Sequence, residues 1–96
     1  MVKVEFPMVD VVQIDAVEGY KLRVRFSDGS EGVRDFSDMI GKGGPMVEPL
    51  RSPEFFARVF VESGVPTWPN GFDIDAINLY MNMKAAGELR IPATAH

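Results

Sequence analysis

The chain has no cysteine and a single histidine, and each shortage excludes a kind of chemistry. Without cysteine there is neither a disulfide framework nor a thiolate metal site, which suits a reducing compartment. The one histidine is His96, on a segment expected to be loose, so a Ser-His-Asp or Cys-His arrangement is not expected. We therefore assign no catalytic residue and predict that the protein is not an enzyme.

Long apolar runs and excess positive charge are also missing. No stretch approaches the roughly 18 apolar residues of a membrane span, and Met1–Glu5 lacks the apolar segment of a signal peptide. We predict a cytoplasmic protein that does not bind membranes. The net charge of −4 argues against nucleic-acid binding by this chain alone, because phosphate backbones require a positive surface.

The residues that are present predict one small domain over 1–96. Hydrophobic residues make up 46% of the 96 positions and charged residues 25%, which is ordinary globular composition. In the segment 20–26, apolar side chains alternate with Lys21, Arg23 and Arg25, a pattern with the period of a half-buried strand. Strands are predicted over 9–17, 20–26 and 31–36, as an antiparallel meander.

The register of the meander follows from its turns. Keeping Val12, Ile14 and Ala16 on one apolar face favours a three-residue loop at 17–19, with Gly19 at positive φ and Ile14 opposite Leu22. Asp28-Gly29 predicts a two-residue hairpin turn, which places Val24 opposite Val33.

The second half predicts short helices, another hairpin and a final helix. A helical turn is expected at 37–40, a brief helix after the Ser52-Pro53 cap, and a hairpin that turns at Ser63-Gly64. The last helix is expected over 76–86, capped by Asp73 or Asp75, with a flexible tail over 88–96. The predicted fold class is α+β: a three-stranded meander, a second hairpin, short helices and a C-terminal helix.

A basic stripe is the first candidate for partner binding. Lys21, Arg23 and Arg25 project from one face of the second strand, and Arg34 extends the stripe if it lies on the same face. Two interpretations are open: a solvated face with cross-strand pairs to Asp15, or contact with an acidic protein surface or a nucleic-acid backbone. No aromatic residue lies between the cations, so stacking on single strands is not supported.

The segment 68–75 is the second candidate. Trp68 is either a core residue or a platform for a partner, since tryptophan fills cores and is also enriched in binding hot spots. Asn70 and Asp73 could join such a surface. The carboxylates resemble part of a calcium loop, but the position for its bidentate glutamate is Met81 or Lys84. We assign no metal and no cofactor.

The final helix has apolar residues on two stripes where a surface helix needs one. Ile77, Met81 and Ala85 form the first stripe, and Leu79, Met83 and Ala86 form the second. We predict a homodimer that uses Leu79, Met83 and Ala86, although a wide contact with the core would also explain the pattern.

An ordered set of short motifs over residues 9–80 resembles a bacterial family of short domains of unknown function. The matching pieces are Leu22–Phe26, Asp28-Gly29, Asp35-Phe36, Leu50, Pro53–Phe56, Trp68–Gly71, Asp73 and Leu79-Tyr80. The resemblance implies an antitoxin-like partner protein, often encoded beside a small toxin-like protein, and some members precede a helix-turn-helix domain. It implies no catalytic residue, and no helix-turn-helix follows in this sequence.

These observations favour a non-enzymatic protein-interaction or regulatory module, with an acidic or toxin-like protein as its partner. The alternative is a sensor that binds a small ligand or a metal near Trp68 and Asp73. A hydrolase with a carboxylate site is disfavoured, because the acids show no spacing typical of paired catalytic carboxylates.

Overall fold

The protein, in a computed structural model, is described here over residues 8–91. Its strands are β1 (Val11–Ala16), β2 (Lys21–Phe26), β3 (Glu31–Asp35), β4 (Phe60–Glu62) and β5 (Val65–Thr67). Its helices are α1 (Ser37–Lys42), α2 (Pro53–Phe56) and α3 (Ala76–Ala85), with a 3-10 turn at Glu48–Arg51. Strands β1, β2 and β3 form an antiparallel meander, and β4 pairs with β5. The predicted α+β architecture is confirmed.

The loop between β1 and β2 has three residues, as predicted, but lies one position later. The Val17 N–H donates to the Lys21 carbonyl at 3.0 Å, so the loop is 18–20 and Gly19 has a φ of +57°. The predicted pairing of Ile14 with Leu22 is wrong by two positions, because Ile14 lies opposite Val24. A shift of two residues keeps every side chain on its expected face, since strand side chains alternate with period two.

A bulge changes the start of β1. The register shifts between Val11 and Gln13, which places Val11 in the core at 1% exposure and leaves Val12 at 53%. A bulge inserts one unpaired residue and so reverses the alternation at that point. The predicted apolar face through Val12 is therefore wrong at its first residue.

The turn between β2 and β3 is longer by one residue than predicted. The Phe26 N–H donates to the Ser30 carbonyl, and Gly29 has a φ of +92°, which gives a three-residue loop. The Asp28 carboxylate accepts hydrogen bonds from the Ser30 N–H and hydroxyl at 2.9 and 2.7 Å, and Ser30 is buried. This local hydrogen bonding selects the longer loop with glycine in the left-handed region. Val24 therefore pairs with Gly32, and the predicted Val24–Val33 pair is wrong.

The second half follows the sequence pattern closely. Ser63 and Gly64 both have positive φ and join β4 to β5, as expected of a two-residue hairpin turn. The Ser52 hydroxyl accepts a hydrogen bond from the Phe55 N–H at 3.4 Å. Of the two candidate caps for α3, Asp75 is the one used, because its carboxylate accepts the Asn78 N–H at 2.8 Å.

One hydrophobic core joins the inner face of the meander to the helices and the second hairpin. Tyr80 of α3 packs edge-to-face on Phe26 of β2, with ring centroids 5.1 Å apart. The fully or nearly buried apolar residues are Val9, Val11, Leu22, Val24, Phe26, Phe36, Ile40, Val47, Leu50, Phe56, Trp68, Ala76, Leu79 and Met83.

The chain beyond α3 lies along the free edge of β3. Arg90 and Glu31 exchange both backbone hydrogen bonds at 3.0 Å, and the Glu88 carboxylate accepts from Arg34 at 2.7 Å. A side chain at Gly32 would collide with the Glu88 carbonyl, so glycine is required for this close approach. The flexible tail predicted from residue 88 is thus paired with β3 through residue 90, and 92–96 lie outside the described residues.

Candidate interaction surface

The outer face of the meander carries the basic stripe of β2. Residues of β2 alternate, so Leu22, Val24 and Phe26 point into the core while Arg23 and Arg25 are exposed and Lys21 is half-buried. The face is bounded by the exposed residues Gln13 and Asp15 of β1 and by Val33 and Asp35 of β3. We call these residues, with Lys21, Arg23, Arg25 and Glu31, the outer face.

Each cation of the stripe has an acidic neighbour on an adjacent strand. Lys21 lies opposite Asp35, Arg23 opposite Asp15, and Arg25 opposite Glu31, with which it forms an ion pair at 3.3 Å. Pairs that lie directly opposite share one face of the sheet. The outer face therefore alternates in sign across the strands, and its three β2 cations are matched by three carboxylates.

Asp35 has a second role at the end of β3. Hydrogen bonds from the Ser37 hydroxyl and then from the Ser37 N–H lower the pKa of this carboxyl below its usual value, against a small opposing effect of desolvation. Asp35 therefore closes the turn that follows β3. The nearby charge of Lys21 also favours the ionised carboxylate.

Arg34 does not extend the basic stripe. It lies opposite Leu22 on the inner side of the meander, where its guanidinium binds Glu88 at 2.7 Å. The reason is the longer turn at 27–29, since a register shift of one residue moves a side chain to the other face. The sequence prediction for Arg34 was wrong on this point.

A cleft opens between β3 and the chain that follows α3. Its volume is about 330 Å³, and it is lined by Arg23, Glu31, Val33, Glu88, Leu89 and Arg90, with two glycines. A smaller depression beside it also contains Arg23 and Glu31. Arg23 was a candidate from sequence, but Val33 and Arg90 were not, because Val33 was expected opposite Val24 and Arg90 in a flexible tail.

The segment around Trp68 is part of the core. Trp68 is 0% exposed, its indole N–H donates to the Phe56 carbonyl at 2.9 Å, and its ring lies between those of Phe56 and Phe72. Asn70 donates to the Met46 carbonyl at 2.9 Å and accepts from the Phe72 N–H. Trp68 is therefore no platform for a partner, and the core interpretation is confirmed.

Of the three candidate residues in this segment, Trp68, Asn70 and Asp73, only Asp73 is exposed. It pairs with Thr67 through the backbone and lines a shallow depression of about 340 Å³ together with Glu62 and Ser63. Within residues 8–91, no group of three or more histidine, aspartate or glutamate side chains is placed to hold a metal ion.

The Asp28-Gly29 turn joins the meander to α3. The Tyr80 hydroxyl donates to Asp28 at 2.8 Å. Partial burial acts to raise the pKa of Asp28, but the hydrogen bonds from Ser30 and Tyr80 outweigh it and lower the pKa. The same hydrogen bond, with partial burial and the charge of Asp28, raises the pKa of Tyr80. These hydrogen bonds stabilise the turn and tie it to α3.

The dimer residues proposed from sequence lie on different sides of α3. Leu79 and Met83 are in the core, at 3% and 0% exposure, while Ala86 is exposed where the helix ends. The prediction of a dimer interface through Leu79 and Met83 is therefore wrong. The stripe left outside is that of Ile77, Met81 and Ala85, with Met81 48% exposed. No helix in the described part of the chain is long and apolar enough to cross a membrane.

Comparison with known proteins places the chain in a family. It belongs to the family of proteins of unknown function DUF2442, which it matches over residues 11–85. The chain is similar to a crystal structure from Nitrosomonas europaea, of a protein named as a candidate DNA-binding protein, with a TM-score of 0.65 and 28% identity. The match covers 88% of this chain and 56% of the Nitrosomonas chain. A search of curated proteins finds no match.

Proposed function

We propose that this chain is a non-enzymatic protein-interaction module of the cytoplasm, and that the outer face of the meander is its working surface. The observation that carries the proposal is the alternation of sign across that face. Cations of β2 lie between carboxylates of β1 and β3, and most of these side chains are exposed. Charges in such an arrangement can select one complementary surface and reject others.

The partner we favour is a small protein with acidic residues, in keeping with the resemblance to antitoxin-like proteins. The β2 cations lie in one row between carboxylates of β1 and β3, so a partner strand or helix with acidic residues along its centre and basic residues at its edges would match the face. Salt bridges at a protein interface fix orientation and speed association more than they add affinity. An antitoxin-like role is compatible with this, because it requires selective recognition of one partner and no chemistry.

We propose that the DNA binding named for the Nitrosomonas protein belongs to the part of it that this chain does not match. This chain spans 56% of the Nitrosomonas chain, which leaves a large remainder that this domain does not match. Duplex binding needs several uncompensated cations along a surface, whereas here each β2 cation has an acidic neighbour. We infer that the domain contributes regulation or partner binding in proteins of this kind.

Co-expression with the products of neighbouring genes tests the proposal. The tagged chain is purified with each candidate, and a stable complex is expected with one of them. Lys21→Glu combined with Arg25→Glu reverses the stripe and is expected to abolish that complex. Arg58→Glu, on an exposed residue between α2 and β4, is the matched control. A complex that survives the reversal, or the absence of any complex, would contradict the proposal.

A ligand or metal sensor is the alternative, and the depression beside Asp73 is the place for it. The burial of Trp68 removes that ring from any such site. Thermal melts with millimolar Ca²⁺ or Mg²⁺ distinguish the two functions, since a ligand that binds only the folded state raises the melting temperature. We expect no rise. A rise abolished by Asp73→Asn would favour the sensor.

A further inference from the structure

The cleft between β3 and residues 87–90 has two arginines that form no ion pair within residues 8–91. Arg23 comes from β2 and Arg90 from the chain after α3, and both are exposed. The two carboxylates of the cleft have other partners, because Glu31 pairs with Arg25 at 3.3 Å and Glu88 with Arg34 at 2.7 Å. Within residues 8–91, neither Arg23 nor Arg90 is within 4.0 Å of a carboxylate. The lining therefore holds two arginines and two glutamates, and among residues 8–91 the two arginines are the charges that have no ion pair.

The shape of the cleft suits one side chain with an acidic end. Val33 is 40% exposed and Leu89 half-buried, so both can cover an apolar stem, and the two glycines add no side-chain bulk. A volume of about 330 Å³ holds one or two side chains of a partner. Guanidinium groups bind carboxylates in a planar, two-point geometry that a lysine cannot provide.

A protein carboxylate fits the cleft better than a DNA backbone. A duplex presents a continuous row of phosphates and needs several cations along its length, whereas the cleft offers two. A single carboxylate needs only the two guanidinium groups that the lining supplies. From the cavity, the apolar wall and the two arginines that have no ion pair within residues 8–91, we propose that this cleft receives a glutamate or aspartate side chain of an acidic partner segment. The inference rests on the proposed interaction function and identifies the part of the surface that recognises the partner.

Titration with a fluorescein-labelled decaglutamate peptide at low salt tests the cleft. Anisotropy is expected to show saturable binding, and amide shifts in the ¹⁵N-labelled protein are expected at Arg23, Val33 and Arg90. Arg23→Gln with Arg90→Gln is expected to weaken binding by roughly tenfold or more, as expected when charge-assisted hydrogen bonds are lost. Arg58→Gln removes an exposed arginine elsewhere and is expected to change binding little.

The lysine variants distinguish two-point recognition by arginine from general electrostatic attraction. Arg23→Lys with Arg90→Lys keeps the charge and removes the two-point geometry, so binding is expected to fall by several-fold. Binding that is unchanged in both double variants, or weakened equally by Arg58→Gln, would overturn the proposal. So would binding of a short DNA duplex with the same amide shifts and greater affinity than the peptide.

The cleft and the interaction function can fail separately. If a neighbouring gene product forms a complex that Arg23→Gln with Arg90→Gln leaves intact, the cleft assignment is overturned and the interaction function stands. If decaglutamate binds at the cleft but no gene product forms a complex, the interaction function is overturned and the carboxylate site stands.

Discussion

The same three strands make both faces of the meander, but the inner face contributes most to folding stability and the outer face is available for recognition. The inner face of β2 presents Leu22, Val24 and Phe26 to the core, each at 1% exposure or less. The outer face presents Lys21, Arg23 and Arg25 between carboxylates. Burial of large apolar side chains contributes about 1.5–3 kcal/mol each, whereas exposed ion pairs contribute 1 kcal/mol or less. Folding therefore constrains the inner face strongly and leaves the outer face available for recognition.

The two short motifs at 26–29 and 68–73 belong with the inner face. Trp68 fills the core, Asn70 holds the chain near Met46, and Asp28 joins the turn to Tyr80. Both motifs can be explained by packing and hydrogen bonding alone. A motif that is recognisable in sequence can thus identify a fold without identifying the surface that acts.

The largest expected effect comes from placing a charge on the inner side of α3. Met83→Glu buries a carboxylate without a partner at a fully buried site, and we expect it to destabilise the domain by about 4 kcal/mol or more. Met81→Glu, on the exposed stripe, is the control and is expected to remain folded. Circular dichroism melts report the loss of stability in Met83→Glu.

Light scattering of the parent and of Met81→Glu tests whether a homodimer forms through the exposed stripe. A monomeric parent would contradict that hypothesis.

Trp68→Ala is expected to be the next most damaging change. It removes the largest fully buried side chain and the indole hydrogen bond to Phe56, so the free energy of unfolding is expected to fall by roughly 3–5 kcal/mol. Urea denaturation measures the change. An unaltered midpoint would contradict the burial of Trp68 and return it to the set of candidate surface residues.

The sequence predicted the architecture better than the register. Alternation in 20–26, the Ser63-Gly64 turn and the Ser52 cap are local signals, and each had the expected result. The prediction for the turn at 27–29 was wrong because Asp28-Gly29 fits either a two-residue or a three-residue loop. The choice between them depends on the hydrogen bonds that Ser30 and Tyr80 donate to the Asp28 carboxylate.

The one-residue shift in the pairing of β2 with β3 explains most of the differences between the site expected from sequence and the site in the structure. Moving β3 by one residue places Val33 on the outer face and Arg34 on the inner side. Arg90 reaches the site through a pairing across 59 positions of sequence, from Glu31 to Arg90, which no local pattern encodes. On α3, two apolar stripes of similar composition gave no basis for deciding which one meets the core.

Gly32→Ala probes the boundary between the two faces. The added methyl would collide with the Glu88 carbonyl, so the chain after α3 must move away from β3. We expect a loss of about 1–3 kcal/mol, as in overpacked sites. Hydrogen exchange at the Glu31 and Arg90 amides is expected to accelerate more than exchange at the amides of β2. Equal protection in the variant and the parent would show that the Glu31–Arg90 pairing does not depend on the absence of a side chain.

A smaller effect is expected at the hydrogen bond that ties α3 to the turn. Tyr80→Phe removes the donor to Asp28 and is expected to cost about 1 kcal/mol. Because the folded pKa of Asp28 is lowered, its contribution is complete above the unfolded value of 3.8 and is lost as pH falls through the folded pKa. The folded pKa of Tyr80 is raised, so its contribution is complete below the unfolded value of 10.0 and is lost as pH rises through the folded pKa. Melts across pH are expected to show the alkaline loss in the parent and not in Tyr80→Phe.

The smallest effect on stability is expected from substitutions on the outer face. Lys21→Gln with Arg25→Gln removes one ion pair, between Arg25 and Glu31, whose side chains are 52% and 28% exposed. Such pairs gain little in water because solvent screens them, so the unfolding free energy is expected to change by less than about 0.5 kcal/mol. The same variant is expected to weaken the complex with the partner identified by co-expression, since two of the three β2 cations are gone. A large loss of stability would show that the outer face is needed for folding. Full retention of the complex would show that these two cations do not take part in recognition.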